Sequence, residues 1–354
     1  MKIVHCIYSF CTGGAETMLI DIVNEQVKTE DVTLIIVNDF YQTYLLKQIS
    51  PDVKVIKLHR KRRSYSLFPI IKLNWLLYQL APDVVHVHNP TLLSVIVPCA
   101  GRERFLTVHV LPAPHLHVPM KHAGRGVRLI AISEAVAADI LQRSGLVATV
   151  IPNGITVNKI AKHVPNTLIT GRCMRIVQVA RLEMEKKGQD ILIQAVALLK
   201  KRGITNIEVD LIGEGQSEQA LRQLAQQLSI DNQVNFLGLC DRQYIYSHLK
   251  DYDLMCHPSR YEGFGLTVAE GIAAMLPILV SDEGGPYEII KHGELGYTFR
   301  MEDAVDCADK IEYIYHNYST VIERTNKAYC YIVEKFSVER MVSEYIKTYR
   351  HFQL

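Results

Sequence analysis

The stretch Ser259-Arg260-Tyr261-Glu262-Gly263-Phe264-Gly265-Leu266-Thr267-Val268-Ala269-Glu270 holds the residues best suited to chemistry. An apolar run ends at Pro258, a glycine-spaced loop follows, and a helical pattern begins. The N–H groups of Gly265, Leu266 and Thr267 would open that helix without helical partners and point at an anion. Glu262 stands in the loop and Glu270 about one turn inside the helix. Two carboxylates are poor partners for a phosphate but good acceptors for hydroxyl groups. A ligand with phosphate in its middle and a polyol at each end satisfies both demands, and a nucleotide-sugar is such a ligand.

Charge for a diphosphate must come from elsewhere. Arg181 and Lys187 lie in Arg181-Leu182-Glu183-Met184-Glu185-Lys186-Lys187-Gly188, another loop between a strand and a helix. Arginine offers a planar fork and lysine a point charge, and both suit a diphosphate. Lys186 reads as their solvated neighbour. Gly213-Glu214-Gly215 ends the next strand and allows a close backbone approach. Near the start, Cys11-Thr12-Gly13-Gly14-Ala15-Glu16 leads from the first strand into a helix, where two glycines let backbone N–H groups approach an anion or a sugar. The pattern is not G-x-G-x-x-G, and no acidic residue closes the second strand, which argues against a dinucleotide-dependent oxidoreductase.

The histidines give a different signal. His109, His115, His117 and His122 gather without an H-E-x-x-H or H-x-x-E-H arrangement, so no metal is expected. Residues 111–120, with three prolines, read as an acceptor-side loop. His86 and His88 alternate at a strand end and are expected to face opposite sides, with His88 lining the cleft.

The elements that must hold these residues alternate along the chain. Strands are expected at 3–8, 32–37, 53–58, 84–88, 105–109, 129–132 and 149–151, with helices at 15–27, 65–80 and 134–143. After a polar stretch at 153–172 the rhythm restarts with strands at 175–179, 207–212, 234–237, 254–257 and 277–280. Helices are expected at 188–202, 217–228 and 266–275, and residues 302–352 read as entirely helical. Such alternation means α/β architecture with parallel sheets, and two blocks of it mean two doubly wound, Rossmann-like domains. Ligands of such sheets sit at the carboxyl ends of the strands, so the cleft between the domains is the expected site.

Composition agrees. The chain has 354 residues, 48% hydrophobic and 21% charged, which excludes disorder and fibrous repeats. Its apolar stretches fall short of the roughly 18 residues of a membrane span. The opening MKIVHCIYSF reads as a strand without a cleavage site, so a cytoplasmic protein is expected. Eight scattered cysteines form no C-x-x-C pair and read as reduced thiols. Residues 1–160 carry 17 Lys/Arg against 11 Asp/Glu, and the remainder 22 against 26, so a basic half precedes an acidic one. The run His59-Arg60-Lys61-Arg62-Arg63 precedes a helix whose core face is Ile70, Leu73, Leu77 and Leu80. Phe68, Lys72, Trp75 and Gln79 share another face, and together with the basic run they suit an anionic membrane surface as a peripheral partner. This patch alone is too little for nucleic-acid binding.

Arg181…Lys187-Gly188, Gly213-Glu214-Gly215, the E-x7-E pair Glu262 and Glu270, and Ser281-Asp282-Glu283-Gly284-Gly285-Pro286-Tyr287-Glu288 follow one another in an order that resembles family-4 retaining glycosyltransferases of the GT-B fold. Gly13-Gly14-Ala15-Glu16, the segment 82–88, Thr107-Val108-His109, Ile132-Ser133-Glu134 and Ile151-Pro152-Asn153-Gly154-Ile155 extend the resemblance over nearly the whole chain. It implies that Arg181 and Lys187 bind the donor diphosphate and stabilise the leaving group. Glu270 would bind the ribose hydroxyls, and Glu262 with the Gly263-Phe264-Gly265 backbone, Leu266 and Thr267 would hold the donor sugar and phosphates. Gly13, Gly14 and Gly213 would approach the donor. His109 would sit beside the anomeric carbon, with His88 on the acceptor side. The family often has an acidic residue after this histidine, where Val110 stands here. The resemblance further implies an acceptor-side domain at 1–160, a nucleotide-sugar domain at 161–336, and a last helix at 337–354 packing on the first domain. No cofactor or metal is implied. The donor would be a UDP-sugar, and the acceptor a glycan or lipid-linked glycan of bacterial surface polysaccharide or lipopolysaccharide. A sugar-nucleotide epimerase or hydrolase, or a catalytically silent sugar-binding protein, would share the donor site.

Overall fold

The computed structural model describes residues 1–61, 64–98, 102–109, 126–164 and 172–352. Arg62, Arg63, Val110, the loop 111–120, His115, His117, His122 and part of the polar stretch 153–172 lie outside them. The chain divides into two compact units, one of residues 1–154 with 338–354 and the other of residues 155–337. Residues 155–160 thus go with the second unit.

The first unit is built on a seven-stranded sheet: β1 (Lys2–Ile7), β2 (Asp31–Asn38), β3 (Lys54–Arg60), β4 (Val84–Val87), β5 (Glu103–Val108), β6 (Arg128–Ala131) and β7 (Thr149–Val150). Their order is β3-β2-β1-β4-β5-β6-β7, and neighbouring strands run parallel. In β2 every residue from Val32 to Asn38 is buried, so both faces of the sheet are covered. That is why these strands read as unbroken apolar runs in the sequence. The order reverses between β1 and β4, and the loops after those two strands, carrying Gly13 and His88, open at that switch point.

The second unit repeats the plan with β8 (Met174–Val179), β9 (Ile207–Ile212), β10 (Val234–Gly238), β11 (Leu254–His257), β12 (Ile278–Ser281) and β13 (Tyr297–Phe299). The order is β10-β9-β8-β11-β12-β13, again parallel, with its switch point between β8 and β11. Its core joins Ile176, Val209, Leu211, Leu254 and Leu279 of the sheet to Leu192, Val196 and Leu199 of the helix Gln189–Lys201. β13 escapes the sequence reading because three residues give no alternation to read.

The segment expected to be entirely helical at 302–352 holds three helices, Ala304–His316, Tyr318–Lys335 and Val338–His351. The break before the last falls where Ile155 pairs with Ser337 and its N–H donates to Phe336 O at 2.7 Å. The helix Val338–His351 then joins the first unit, burying Tyr345 and Tyr349 completely.

Candidate active site

In the second unit two strand-end loops meet at the switch point. The loop after β8 carries Arg181 and Lys187, and the loop after β11 carries Glu262. They are laced by backbone: the N–H groups of Arg260 and Tyr261 donate to Lys186 O at 2.8 and 3.2 Å. Gly188, in the left-handed region at φ +64°, lies so close to the second loop that a Cβ there would sit 1.9 Å from Pro258 O. Gly213 has a similar reason to be glycine, since a Cβ on it would meet Ala180 O at 2.1 Å. The close backbone approach expected there is made to the Arg181 loop, whose Leu182 N–H donates to Glu214 O at 3.0 Å.

The contact so produced is an ion pair between Lys187 Nζ and Glu262 Oε2, both side chains about four-fifths buried. His257 Nε2, at the end of β11, lies 3.5 Å from the same carboxylate. Burial works to raise the Glu262 pKa, but Lys187 and His257 more than offset it and hold the carboxyl well below its usual range. Burial lowers the His257 pKa in turn, with Glu262 opposing. Arg181 is the more exposed cation: its side chain is 66% exposed and its Nη1 lies 3.5 Å from Glu183 Oε1.

Glu270 lies in the helix Leu266–Ala273, which starts at Gly265 in the left-handed region. Its side chain is buried, with Oε1 accepting from Tyr246 OH at 3.0 Å and forming a longer ion pair with Arg242 Nε at 3.9 Å. Arg242 also donates to Tyr246 OH at 2.6 Å. Gly285, behind this helix start, is packed where a Cβ would lie 2.4 Å from Phe264 Cα, so the Gly284–Gly285 turn seats the Gly263–Gly265 loop. The first-turn N–H groups of such a helix are those of Leu266 and Thr267, as the sequence suggests.

Several residues that shape this region carry no motif. Arg260 binds Asp190 through both terminal nitrogens, at 3.0 and 2.8 Å, and Glu302 through Nε at 2.7 Å. Gln178 and Gln189 donate to Lys187 O and Arg181 O at 2.7 and 2.8 Å, fixing the backbone of the two cationic residues. Among the described residues, Gln178 Oε1, Gln189 Oε1 and Ser259 Oγ are buried without hydrogen-bond partners. A single glutamine in an apolar strand, as at Gln178, was the available signal.

In the first unit Gly13 caps the helix Gly14–Gln26 with extended backbone, and Gly13 O accepts from Thr17 N–H at 3.0 Å. His109 follows β5 directly. His86 and His88 do not face opposite sides: their rings stack at 4.5 Å. Residues two apart share a face of a strand, so period two demands this outcome. His5 of β1 joins them, and ring nitrogens of His5, His86 and His88 lie within 4.8 Å of one another. They are engaged in hydrogen bonds: His86 with Tyr349 OH and Thr107 Oγ1 at 2.5 and 2.7 Å, His5 with Gln26 Oε1 at 2.7 Å, and His88 with His5 and His109 at 3.0 Å each. The group is thus tied together, and to its surroundings, by hydrogen bonds through the ring nitrogens.

Comparison with known proteins agrees with this architecture. The family model "Glycosyltransferase Family 4" matches residues 12–159, and "Glycosyl transferases group 1" matches residues 163–329. The chain is 36% identical over 141 residues to the putative glycosyltransferase EpsD of Bacillus subtilis, covering 40% of this chain and 36% of that one. It is 25% identical over 223 residues to the poly(ribitol-phosphate) alpha-N-acetylglucosaminyltransferase of Staphylococcus aureus, covering 62% and 43%. The matched stretch thus spans less than half the length of either relative. Anabaena HepE, crystallised with UDP and glucose, superposes with a TM-score of 0.82 at 23% identity, over 98% of this chain and 99% of that one. With both halves matched by family models and the whole chain superposing on such a fold, the protein belongs to the family-4 glycosyltransferases of GT-B type.

Proposed function

We propose that the protein is a retaining, metal-independent glycosyltransferase that moves a hexosyl group from a UDP-sugar to a glycan or lipid-linked acceptor of a bacterial surface polysaccharide or lipopolysaccharide. The observation that carries this reading is the Lys187–Glu262 pair beside the helix start at Gly265, with buried Glu270 inside the same helix. Lys187 and Arg181 would meet the diphosphate. As the anomeric C–O bond to phosphate breaks, negative charge grows on the leaving oxygen, and the two cations stabilise it. The acceptor hydroxyl forms the new bond on the same face, and its proton passes to the departing phosphate. Glu270, buried in the helix Leu266–Ala273 and accepting from Tyr246 OH, would bind the ribose hydroxyls. Glu262 and the Gly263–Gly265 backbone would hold the sugar; of the first unit's residues, Gly13 and Gly14 would serve donor binding and His109 with His88 the acceptor side. Binding of UDP by HepE supports the choice of base.

The test is incubation with UDP-, GDP- and ADP-sugars, with and without acceptor. Transfer requires acceptor, whereas epimerisation and hydrolysis do not. Release of sugar or its epimer at the same rate without acceptor would refute the transferase reading.

Peripheral attachment to an anionic membrane belongs to the same proposal. Among the described residues no helix is long and apolar enough to cross a membrane. The helix Phe68–Leu80 buries Leu73 and Leu77, as its pattern requires. Its other side carries a stripe, Phe68, Ile71, Trp75 and Tyr78, each exposed over more than half its surface, with Lys72 exposed among them. Trp75 is therefore a surface residue, and aromatic groups beside lysine suit the headgroup region.

A further inference from the structure

Three imidazoles run in line through the first unit. His5 Nε2 lies 2.7 Å from Gln26 Oε1, His5 Nδ1 lies 3.0 Å from His88 Nε2, and His88 Nδ1 lies 3.0 Å from His109 Nε2. The line starts in the helix Gly14–Gln26 and follows β1, β4 and β5, which are adjacent in the sheet. Gln26 and His5 are fully buried, and His88 nearly so. At the outer end, His109 Nδ1 is buried and has no hydrogen-bond partner among the described residues.

We propose that Gln26, His5 and His88 are positioning residues that fix the tautomer of His109, so that its Nδ1 faces substrate as a hydrogen-bond acceptor for a sugar hydroxyl. The argument follows the chain outward. A carbonyl oxygen can only accept, so the proton of His5 is on Nε2. A neutral imidazole carries one proton, so His5 Nδ1 is a lone pair and takes the Nε2 proton of His88. By the same step His88 Nδ1 takes the Nε2 proton of His109, which leaves His109 Nδ1 unprotonated. Each link depends on the rings staying neutral. Burial provides for that, lowering His5 and His109 to about 4 and His88 well below its usual value.

The polarity has a consequence for recognition. A lone pair at Nδ1 suits a hydroxyl that donates, and is repelled by a phosphate oxygen with no proton to give. The histidine therefore selects the polyol part of a ligand over its phosphates. Its partner class is a neutral sugar hydroxyl of the transferred hexose or of the acceptor glycan. This rests on the reading of His109 as a substrate-facing residue, but the direction of the chain can be measured without any substrate.

The experiment is long-range proton–nitrogen correlation NMR on the full chain labelled with nitrogen-15 in histidine, near neutral pH. The expected pattern is a protonated Nε2 and an unprotonated Nδ1 on His5, His88 and His109 alike. Gln26→Met removes the terminal acceptor and should turn His109, three groups away, into a mixture of both tautomers. Gln26→Glu keeps an acceptor and should restore the single pattern. A proton on Nδ1 of His109 in the unaltered protein would overturn the inference, as would a His109 pattern indifferent to Gln26→Met. Should that variant fail to fold, the unaltered protein's pattern decides alone. In turnover, Gln26→Met should lower kcat roughly fivefold, the scale of one neutral hydrogen bond, and leave UDP affinity unchanged. The expected tautomer pattern in a protein that transfers no sugar would sink the transferase reading and leave the chain's polarity standing.

Discussion

At the scale of single residues, the proposed donor site rests on a few charges whose surroundings are already set. Glu270 is buried and held by Tyr246 and Arg242, so its carboxylate needs little reorganisation to receive hydroxyls. Glu270→Ala should weaken UDP affinity by about 1.5–3 kcal/mol, the range for hydrogen bonds to a charged group. Calorimetry checks this, and unchanged affinity would remove the ribose assignment. Lys187 should matter more to turnover than to binding, because charge grows on the leaving phosphate. Lys187→Ala is expected to lower kcat roughly 10²–10³-fold, by analogy with loss of one oxyanion donor. A change confined to KM would make it a binding group only. Much of this was legible in the sequence, since Lys187, Glu262 and Glu270 stand at spacings that a loop-then-helix pattern explains. Arg260, Gln178 and Gln189 were not, because they act on backbone carbonyls and on Asp190, which a linear pattern does not bring together. His5 was hidden for the same reason: it looks like one polar residue in an apolar strand until β4 and β5 are laid beside it.

At the scale of elements, two predictions follow from what the strands and helices bury. The histidine stack of β1, β4 and β5 is neutral in the folded protein, with His5 and His109 lowered from 6.5 to about 4. The unfolded chain therefore takes up protons first as pH falls. The stability this neutral stack allows is complete above about 6.5 and is lost as pH drops from there toward 4. Thermal unfolding should show Tm falling steeply between pH 6.5 and pH 5, and a flat Tm over that window would contradict buried neutral rings. On the helix Phe68–Leu80, the exposed stripe and the preceding basic run should give co-sedimentation with anionic liposomes. Each Lys or Arg near such a surface contributes about 1 kcal/mol, so changing Arg60, Lys61, Arg62 and Arg63 together to Ser should abolish pelleting, as should high salt. Equal pelleting with neutral lipid, or none with either, would discard the membrane partner. Of the core face expected from Ile70, Leu73, Leu77 and Leu80, the two middle leucines are buried and Ile70 and Leu80 half-buried. Ile71 and Tyr78 were not assigned to the outer stripe, because apolar residues are expected inside until the sheet's position is known. The short helices Met184–Lys187 and Gly284–Ile289 were missed because four to six residues carry no helical period.

At the scale of the molecule, two parallel sheets were legible because strands buried on both faces read as apolar runs separated by amphipathic helices. The return of Val338–His351 to the first unit is not written in any local pattern. It depends on Tyr345 and Tyr349 finding a buried place, with Tyr349 OH bonded to His86 of β4, more than 250 residues earlier. The same plan gives the chain a switch point in each sheet, one holding the glycine loop and histidines and the other the cations and carboxylates. That the cations and carboxylates of the second unit serve transfer of a hexosyl group from a UDP-sugar is the central claim. The most direct measurement is proton NMR of the anomeric signals while the protein acts on an α-configured UDP-hexose with a lipid-linked glycan acceptor and a chelator present. The account predicts UDP and an α-linked product appearing together, only with acceptor, with the rate cut roughly 100-fold or more by Lys187→Ala. A β-linked product, a requirement for divalent metal, or consumption of the donor without acceptor would contradict it.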